Sequence, residues 1–183
     1  MKEARRAKPD SAFPIPHSAL VLIALGSNLG DSPSIIRRAI TRLRALTDSP
    51  LLESALWRST PVGCPPGSPP FVNAVVGLAP RAEETPETLL LKLQALEKEF
   101  GRRPKRVANE PRPLDLDLIA FGPVVRASAE LTLPHPRAHR RRFVLQPLGE
   151  IAPDLVLPGQ HQSVAGLLKA LASDEKLTRL SSD

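Results

Sequence analysis

Short apolar segments with two different periods alternate along this chain. Residues 19–25, Ala-Leu-Val-Leu-Ile-Ala-Leu, are apolar without a break and fit a buried strand. Gly-Ser-Asn-Leu-Gly-Asp at 26–31 breaks the run as a tight turn. Ser32 then caps a helix with Pro33 in its first turn. Ile35, Ile36, Ala39, Ile40 and Leu43 recur along one side of that helix. Leu51–Arg58 reads as a second strand, and Phe71–Leu78 as a third, with Val72, Ala74 and Val76 alternating. Thr85 and Pro86 open a second helix with an apolar stripe of Leu89, Leu93, Leu96 and Phe100, and Gly101 ends it. Leu114–Phe121 is the fourth strand.

Strand, helix, strand, strand, helix, strand is the order of the ferredoxin-like βαββαβ plan, an α+β fold. It predicts one antiparallel sheet with both helices on a single face, leaving the other face without a helix layer. Residues 1–18, with Pro9, Pro14 and Pro16 among scattered charges, read as a disordered tail, and 19–183 as one domain. Beyond Leu131 a C-terminal extension rich in Pro, His and Arg leads to a final helix from Ser163. Thr60–Pro70, with five prolines and two glycines, is a long irregular loop.

Composition narrows the setting. A 42% hydrophobic and 24% charged content is ordinary for a globular protein, and no apolar run approaches the ~20 residues of a membrane span. The basic N-terminus lacks the apolar stretch of a secretory signal. Cys64 is the single cysteine, which excludes an intrachain disulfide and a cysteine zinc cluster and points to the cytoplasm. A net charge of +6 favours an anionic partner, either nucleic acid or a phosphorylated small molecule. Five phenylalanines and one tryptophan leave few platforms for base stacking.

The chemistry concentrates in Arg-Pro-Leu-Asp-Leu-Asp-Leu-Ile at 112–119. On a strand Asp115 and Asp117 share one face, while Leu114, Leu116 and Leu118 point to the other. Two like charges in an apolar strand repel unless a cation lies between them. With Arg112 beside them they suit magnesium carrying a nucleotide's phosphates. A solvated sheet face with ordinary acids is the plainer reading. Arg102, Arg103, Lys105, Arg106 and Arg112 form a basic loop able to gather a polyphosphate, or simply a solvated one. His135, held between Pro134 and Pro136, suits a polar contact to a nucleotide better than metal ligation. The glycine spacing at 26–31 fits neither the P-loop nor the dinucleotide fingerprint.

Taken together these segments resemble the 6-hydroxymethyl-7,8-dihydropterin pyrophosphokinase family of folate biosynthesis. The resemblance rests on Ala-Leu-Gly-Ser-Asn-Leu-Gly-Asp at 24–31, Phe-Val-Asn-Ala at 71–74 and Phe-Gly-Arg at 100–102. It continues with Pro-Arg-Pro-Leu-Asp-Leu-Asp-Leu-Ile at 111–119, Leu-Pro-His-Pro-Arg at 133–137, Arg-Phe-Val-Leu-Gln-Pro-Leu at 142–148 and Glu-Ile-Ala-Pro at 150–153. It spans about residues 19–171 in order and without large gaps.

The resemblance implies transfer of diphosphate from ATP to the pterin hydroxymethyl group, releasing AMP, by a monomer that binds neither nucleic acid nor membrane. By position, Asp115 and Asp117 would hold two magnesium ions, and Arg102 and Arg112 would join them as catalytic residues. Gln94, Glu97, Arg102, Arg112, His135 and Arg141 fall where the family contacts ATP. Ser59, Thr60 and Val62 would meet the pterin, Asn73 would hydrogen-bond its edge, and Phe71 and Phe143 would sandwich its ring. Loops 59–70 and 101–113 would act as lids. The chain departs from the family at several positions. Many members have Tyr in place of Phe71, and Asn109 replaces a frequent Trp. Pro104 and Ala108 stand where some members are basic, and Pro136 and Arg137 lie in a variable stretch.

Two other classes remain open at this point. A basic ferredoxin-like RNA-binding module would show exposed aromatics on its central strands, and its acidic pair would repel a phosphate backbone. A small-molecule sensor without catalysis would leave Asp115, Asp117 and the arginine loop unexplained.

Overall fold

The computed structural model describes residues 15–104 and 110–181. Its strands are β1 (Val21–Ser27), β2 (Leu52–Glu53), β3 (Trp57–Ser59), β4 (Phe71–Leu78), β5 (Asp115–Phe121), β6 (Arg126–Ala127), β7 (Thr132–Leu133) and β8 (Leu177–Arg179). The helices are α1 (Ser32–Leu43), α2 (Pro86–Glu99), α3 (Arg142–Ile151) and α4 (Val164–Ala170). The main sheet runs β5-β1-β4-β3-β8 with every pair antiparallel, and β2 also pairs with β4. This is the α+β, ferredoxin-like arrangement with α1 and α2 on one face. Strand alternation explains why. Val21, Ile23, Leu25, Val72, Ala74, Val76, Leu116 and Leu118 face Ile36, Ala39, Ile40 and Leu43 of α1 and Leu89, Leu93 and Leu96 of α2 in one buried cluster.

The opposite face is not bare. Leu22, Ala24, Val75 and Ile119 pack there against Val144, Leu145, Leu148 and Ile151 of α3 and Val164 of α4. The C-terminal extension therefore supplies a helix layer over part of the face that carries Asp115 and Asp117. Packing also reaches back to Ile15, 2% exposed, so the core begins inside the stretch assigned to the tail. No helix among the described residues is long and apolar enough to cross a membrane.

Local differences have local causes. The strand expected over 51–58 is split. Leu52 and Glu53 oppose Gly77 and Val76, whereas Trp57 opposes Asn73, so one extra residue is bulged out between the two pieces. Ser54 fills the gap, its hydroxyl accepting the Val75 N–H at 2.9 Å. The cap of α1 is Asp31, which accepts the Ser34 N–H at 3.3 Å. Ser32 lies inside the helix instead, its hydroxyl taking that of Ser27 at 2.9 Å. Thr85 and Thr88 form a reciprocal capping box on α2, and Gly101, at φ +89°, ends it. A second bulge, at Ile119, interrupts the β1–β5 register and turns the Ile119 carbonyl to the His135 N–H at 2.8 Å.

Candidate active site

β1 does not stop at Leu25 but runs through Gly26 to Ser27, which puts its smallest residues between the polar ones of its neighbours. Gly26 pairs with Asn73 on one side and Asp115 on the other, and Ala24 pairs with Val75 and Asp117. A Cβ on Gly26 would project between them, 3.6 Å from Asn73 Oδ1 and 3.8 Å from Asp115 Cβ and Phe71 Cδ1. Gly26 and Ala24 thus floor a cavity that a larger side chain would fill.

The walls come from distant segments. Phe71 and Asn73 stand on β4, Ser59, Thr60 and Val62 on β3 and the loop after it, and Arg141 and Phe143 at the start of α3. With Arg112, Asp115 and Asp117 they enclose about 420 Å³, within the range of small-ligand sites. Asn73 is 4% exposed, and its Nδ2 donates to Ser59 Oγ at 2.8 Å, which fixes the amide's orientation. Asn28, 3% exposed, ties two rims together. Its amide donates to the Pro69 carbonyl at 3.3 Å and accepts the Arg112 N–H at 2.9 Å. The sequence shows Asn28 and Gly26 as parts of a turn and of the motif at 24–31, with no site role for either. It gives no site role to Arg137, Arg140, Cys64 or Glu175, which line the same cavity. Their segments meet only in three dimensions, so their local sequence assigns them no partner there.

Arginines dominate the electrostatics. One nitrogen of Arg102 reaches Asp115 at 2.5 Å and also pairs with Glu97, and Arg112 holds the second Asp115 oxygen at 2.9 Å. Arg141 lies 3.8 Å from Asp117. Each of two arginines also stacks on an aromatic wall, Arg112 at 5.6 Å from the Phe71 centroid and Arg141 at 5.3 Å from that of Phe143. Ring and carboxylate are therefore linked twice, as Phe71–Arg112–Asp115 and Phe143–Arg141–Asp117. The buried Nε of Arg112 has no hydrogen-bond partner among the described residues, a donor unspent on protein.

Burial shifts several groups of the site, Arg141 downwards among them. Asp117 is pushed above the ordinary carboxylate range, first by burial and then by Asp115, against the pull of His135, Arg141 and Arg112. His135 is pushed down by burial, with Asp117 opposing. Glu97, 8% exposed on α2, is pushed up to about 7, mainly by burial, although it accepts the Leu116 N–H at 2.7 Å and faces Arg102. A carboxyl raised in the folded state keeps its proton where the unfolded chain has released it, so its stabilising contribution is lost as pH rises towards 7. Stability of the wild-type protein, measured by urea unfolding from pH 5 to 8, should fall with a steeper slope than that of Glu97→Gln. Equal slopes would remove Glu97 as the source.

The remaining candidates separate. Arg102 and Arg112 line a second hollow with Leu29, Arg103, Pro104 and Glu110, adjoining the first at Arg112. Glu97 lies beneath Arg102, whereas Gln94 is exposed on α2, outside both hollows. His135 lines a separate small hollow with His139 and Leu157, close enough to Asp117 to act on its charge. Lys105, Arg106, Ala108 and Asn109 lie outside the described residues. Phe71 and Phe143, both half-buried, line a partly open cavity from β4 and α3 instead of the flat aromatic sheet surface that an RNA-binding module requires.

A family model described as 7,8-dihydro-6-hydroxymethylpterin-pyrophosphokinase matches residues 22–153. Relatives named 2-amino-4-hydroxy-6-hydroxymethyldihydropteridine pyrophosphokinase include one from Haemophilus influenzae, 40% identical over 86% of this chain and 96% of its own length. Another, from Pseudomonas aeruginosa, is 41% identical over 77% of this chain and 86% of its own. Among solved structures, an HPPK-DHPS protein in complex with substrates shares the fold, with a TM-score of 0.64 at 10% identity. That match covers 82% of this chain and 43% of the other, so this chain spans less than half of that larger protein.

Proposed function

The chain belongs to the 7,8-dihydro-6-hydroxymethylpterin-pyrophosphokinase family, and on that premise we propose that it transfers diphosphate from ATP to the hydroxyl of 6-hydroxymethyl-7,8-dihydropterin. The products are AMP and the pterin diphosphate, made for folate biosynthesis in the cytoplasm by a monomer acting as one catalytic unit. The observation that carries the reading is the single cavity joining Asn73 and two phenylalanines to Asp115, Asp117 and several arginines.

The pterin ring takes the space between Phe71 and Phe143, and Asn73, oriented by Ser59, reads its edge. Ser59, Thr60 and Val62 close the same wall. The hydroxymethyl group then points towards Asp115 and Asp117. These carboxylates are hard oxygen donors on one face, 20% and 40% exposed at the side chain, a set that fits magnesium. We assign two magnesium ions to them, which when bound neutralise charge on the phosphates and on the attacking oxygen. Arg102 and Arg112 leave Asp115 to meet the phosphate oxygens, and Arg141 turns from Asp117 in the same way. Glu97 keeps Arg102 at the site, while His135 and Gln94 are assigned to ATP contact by their positions in the family pattern. Residues 59–70 and the described flanks of loop 101–113 close over both substrates and exclude water, which prevents wasteful ATP hydrolysis.

The test is AMP release from ATP, measured with and without magnesium and the pterin. The reading expects AMP only when both are present, and slower backbone hydrogen exchange at 59–70 in the ternary complex. ATP turnover independent of the pterin, or none at all, would overturn it. A sensor domain would bind the pterin and release no AMP.

A further inference from the structure

Phe143 is weakly held by its own helix. Its N–H lies in the first turn of α3, where no intrahelical acceptor exists, and Arg141 at the cap position offers no side-chain bond. Its carbonyl would normally receive the N–H of residue 147, which is Pro147. The missing anchor arrives from the C-terminus of the chain. Glu175 Oε2 accepts the Phe143 N–H at 3.1 Å, a charge-assisted bond at a helix N-terminus, and Glu175 also lines the cavity. Its own N–H is held by Ser173 Oγ at 3.2 Å.

The next residue serves the opposite wall. The Lys176 carbonyl accepts the Thr60 N–H at 3.2 Å, and β8 then pairs with β3 from Leu177 to Arg179. Further on, Arg179 meets Glu150, near the end of α3, at 3.4 Å. Residues 173–179 therefore tie the ring-bearing start of α3 to the loop carrying Thr60. They lie beyond the residues 22–153 that match the family model.

We infer that Glu175 is a positioning residue for the pterin half of the site, setting Phe143 against the ring through the main-chain bond to Phe143. This rests on the function proposed above. Removing the carboxylate frees the aromatic wall directly and reaches the nucleotide side only through Arg141, which stacks on Phe143 and feels the charge of Glu175, so pterin binding should suffer more than ATP binding. Replacing Glu175 by glutamine keeps a side-chain oxygen that accepts the same N–H.

The experiment measures steady-state kinetics on the full chain, together with exchange of the Phe143 amide by NMR. For Glu175→Ala, KM for the pterin should rise by about tenfold, the value of one charge-assisted hydrogen bond, while KM for ATP stays within about twofold. The Phe143 amide should lose its protection. Glu175→Gln should restore both to near wild type. If Glu175→Ala does not fold, Glu175→Asp, one methylene shorter, should show the same one-sided KM change. An unchanged pterin KM, equal losses for both substrates, or no rescue by glutamine would overturn the inference. A wild-type chain inactive towards the pterin would instead overturn the function, and the Phe143 exchange would still report on Glu175.

Discussion

Asp117→Asn is expected to give a folded protein that turns over roughly 10²–10³-fold more slowly, with a thermal midpoint at or above that of the wild type. The two halves of that result have one cause. Asp117 is half-buried, and both its partial loss of water and Asp115 resist its ionisation. At neutral pH the ionised dyad therefore costs stability, and an amide of the same size relieves that cost. The proposed transfer needs the charge that folding resists. In-line transfer of a diphosphate places negative charge on the attacking and leaving oxygens, and a cation held by the carboxylates would offset it, with single elements of such stabilisation worth roughly 10²–10³ in rate. An amide is a poor magnesium ligand, so the loss falls on kcat and on magnesium affinity together. Kinetics across a magnesium series, with thermal unfolding of the same samples, checks both halves. Turnover within tenfold of wild type would sink the assignment, and a lowered midpoint would mean that Asp117 stabilises the fold.

The acidic pair could be read from the sequence because strand geometry is local: period-two alternation puts Asp115 and Asp117 on one face wherever the strand lies. The apolar stripes of α1 and α2 were legible for the same reason, as were the ends of β4. α3 was not. Its apolar positions follow a run of arginines and enclose Pro147, and both features argue against a helix until Val144, Leu145 and Leu148 have a sheet face to cover. The two bulges were also hidden, since an extra residue opposite β4 or β1 is visible only as a register against a partner. Gly26 looked like a turn residue, yet it is a strand residue whose missing side chain leaves the cavity open. Glu175 stands far from Phe143 in sequence, and only the return of β8 to the edge of the sheet brings them together.

Arg102→Ala is expected to lower kcat by roughly 10²–10³ and stability by about 3 kcal/mol, and the two losses can be separated. A single guanidinium nitrogen joins Glu97 and Asp115, and the side chains are 17%, 10% and 20% exposed. Removing it leaves Glu97 buried with only the Leu116 N–H for company, and its proton is then held still more firmly. Most of the stability loss is this stranded carboxyl, not the attraction itself. Glu97→Gln in the same chain neutralises the group, keeps an acceptor for Leu116, and should return most of the stability. It should return none of the activity, because Arg102 is proposed to meet the phosphates. Arg102→Lys should sit between, since an ammonium can bridge the two carboxylates as the single guanidinium nitrogen does but lacks the planar fork that meets two phosphate oxygens at once. Urea unfolding and AMP release on the two single variants and their combination form the cycle. If the double variant recovers turnover along with stability, Arg102 holds the fold and takes no part in the transfer. If stability alone returns, Glu97 serves to keep a phosphate-binding arginine at the site until substrate claims it.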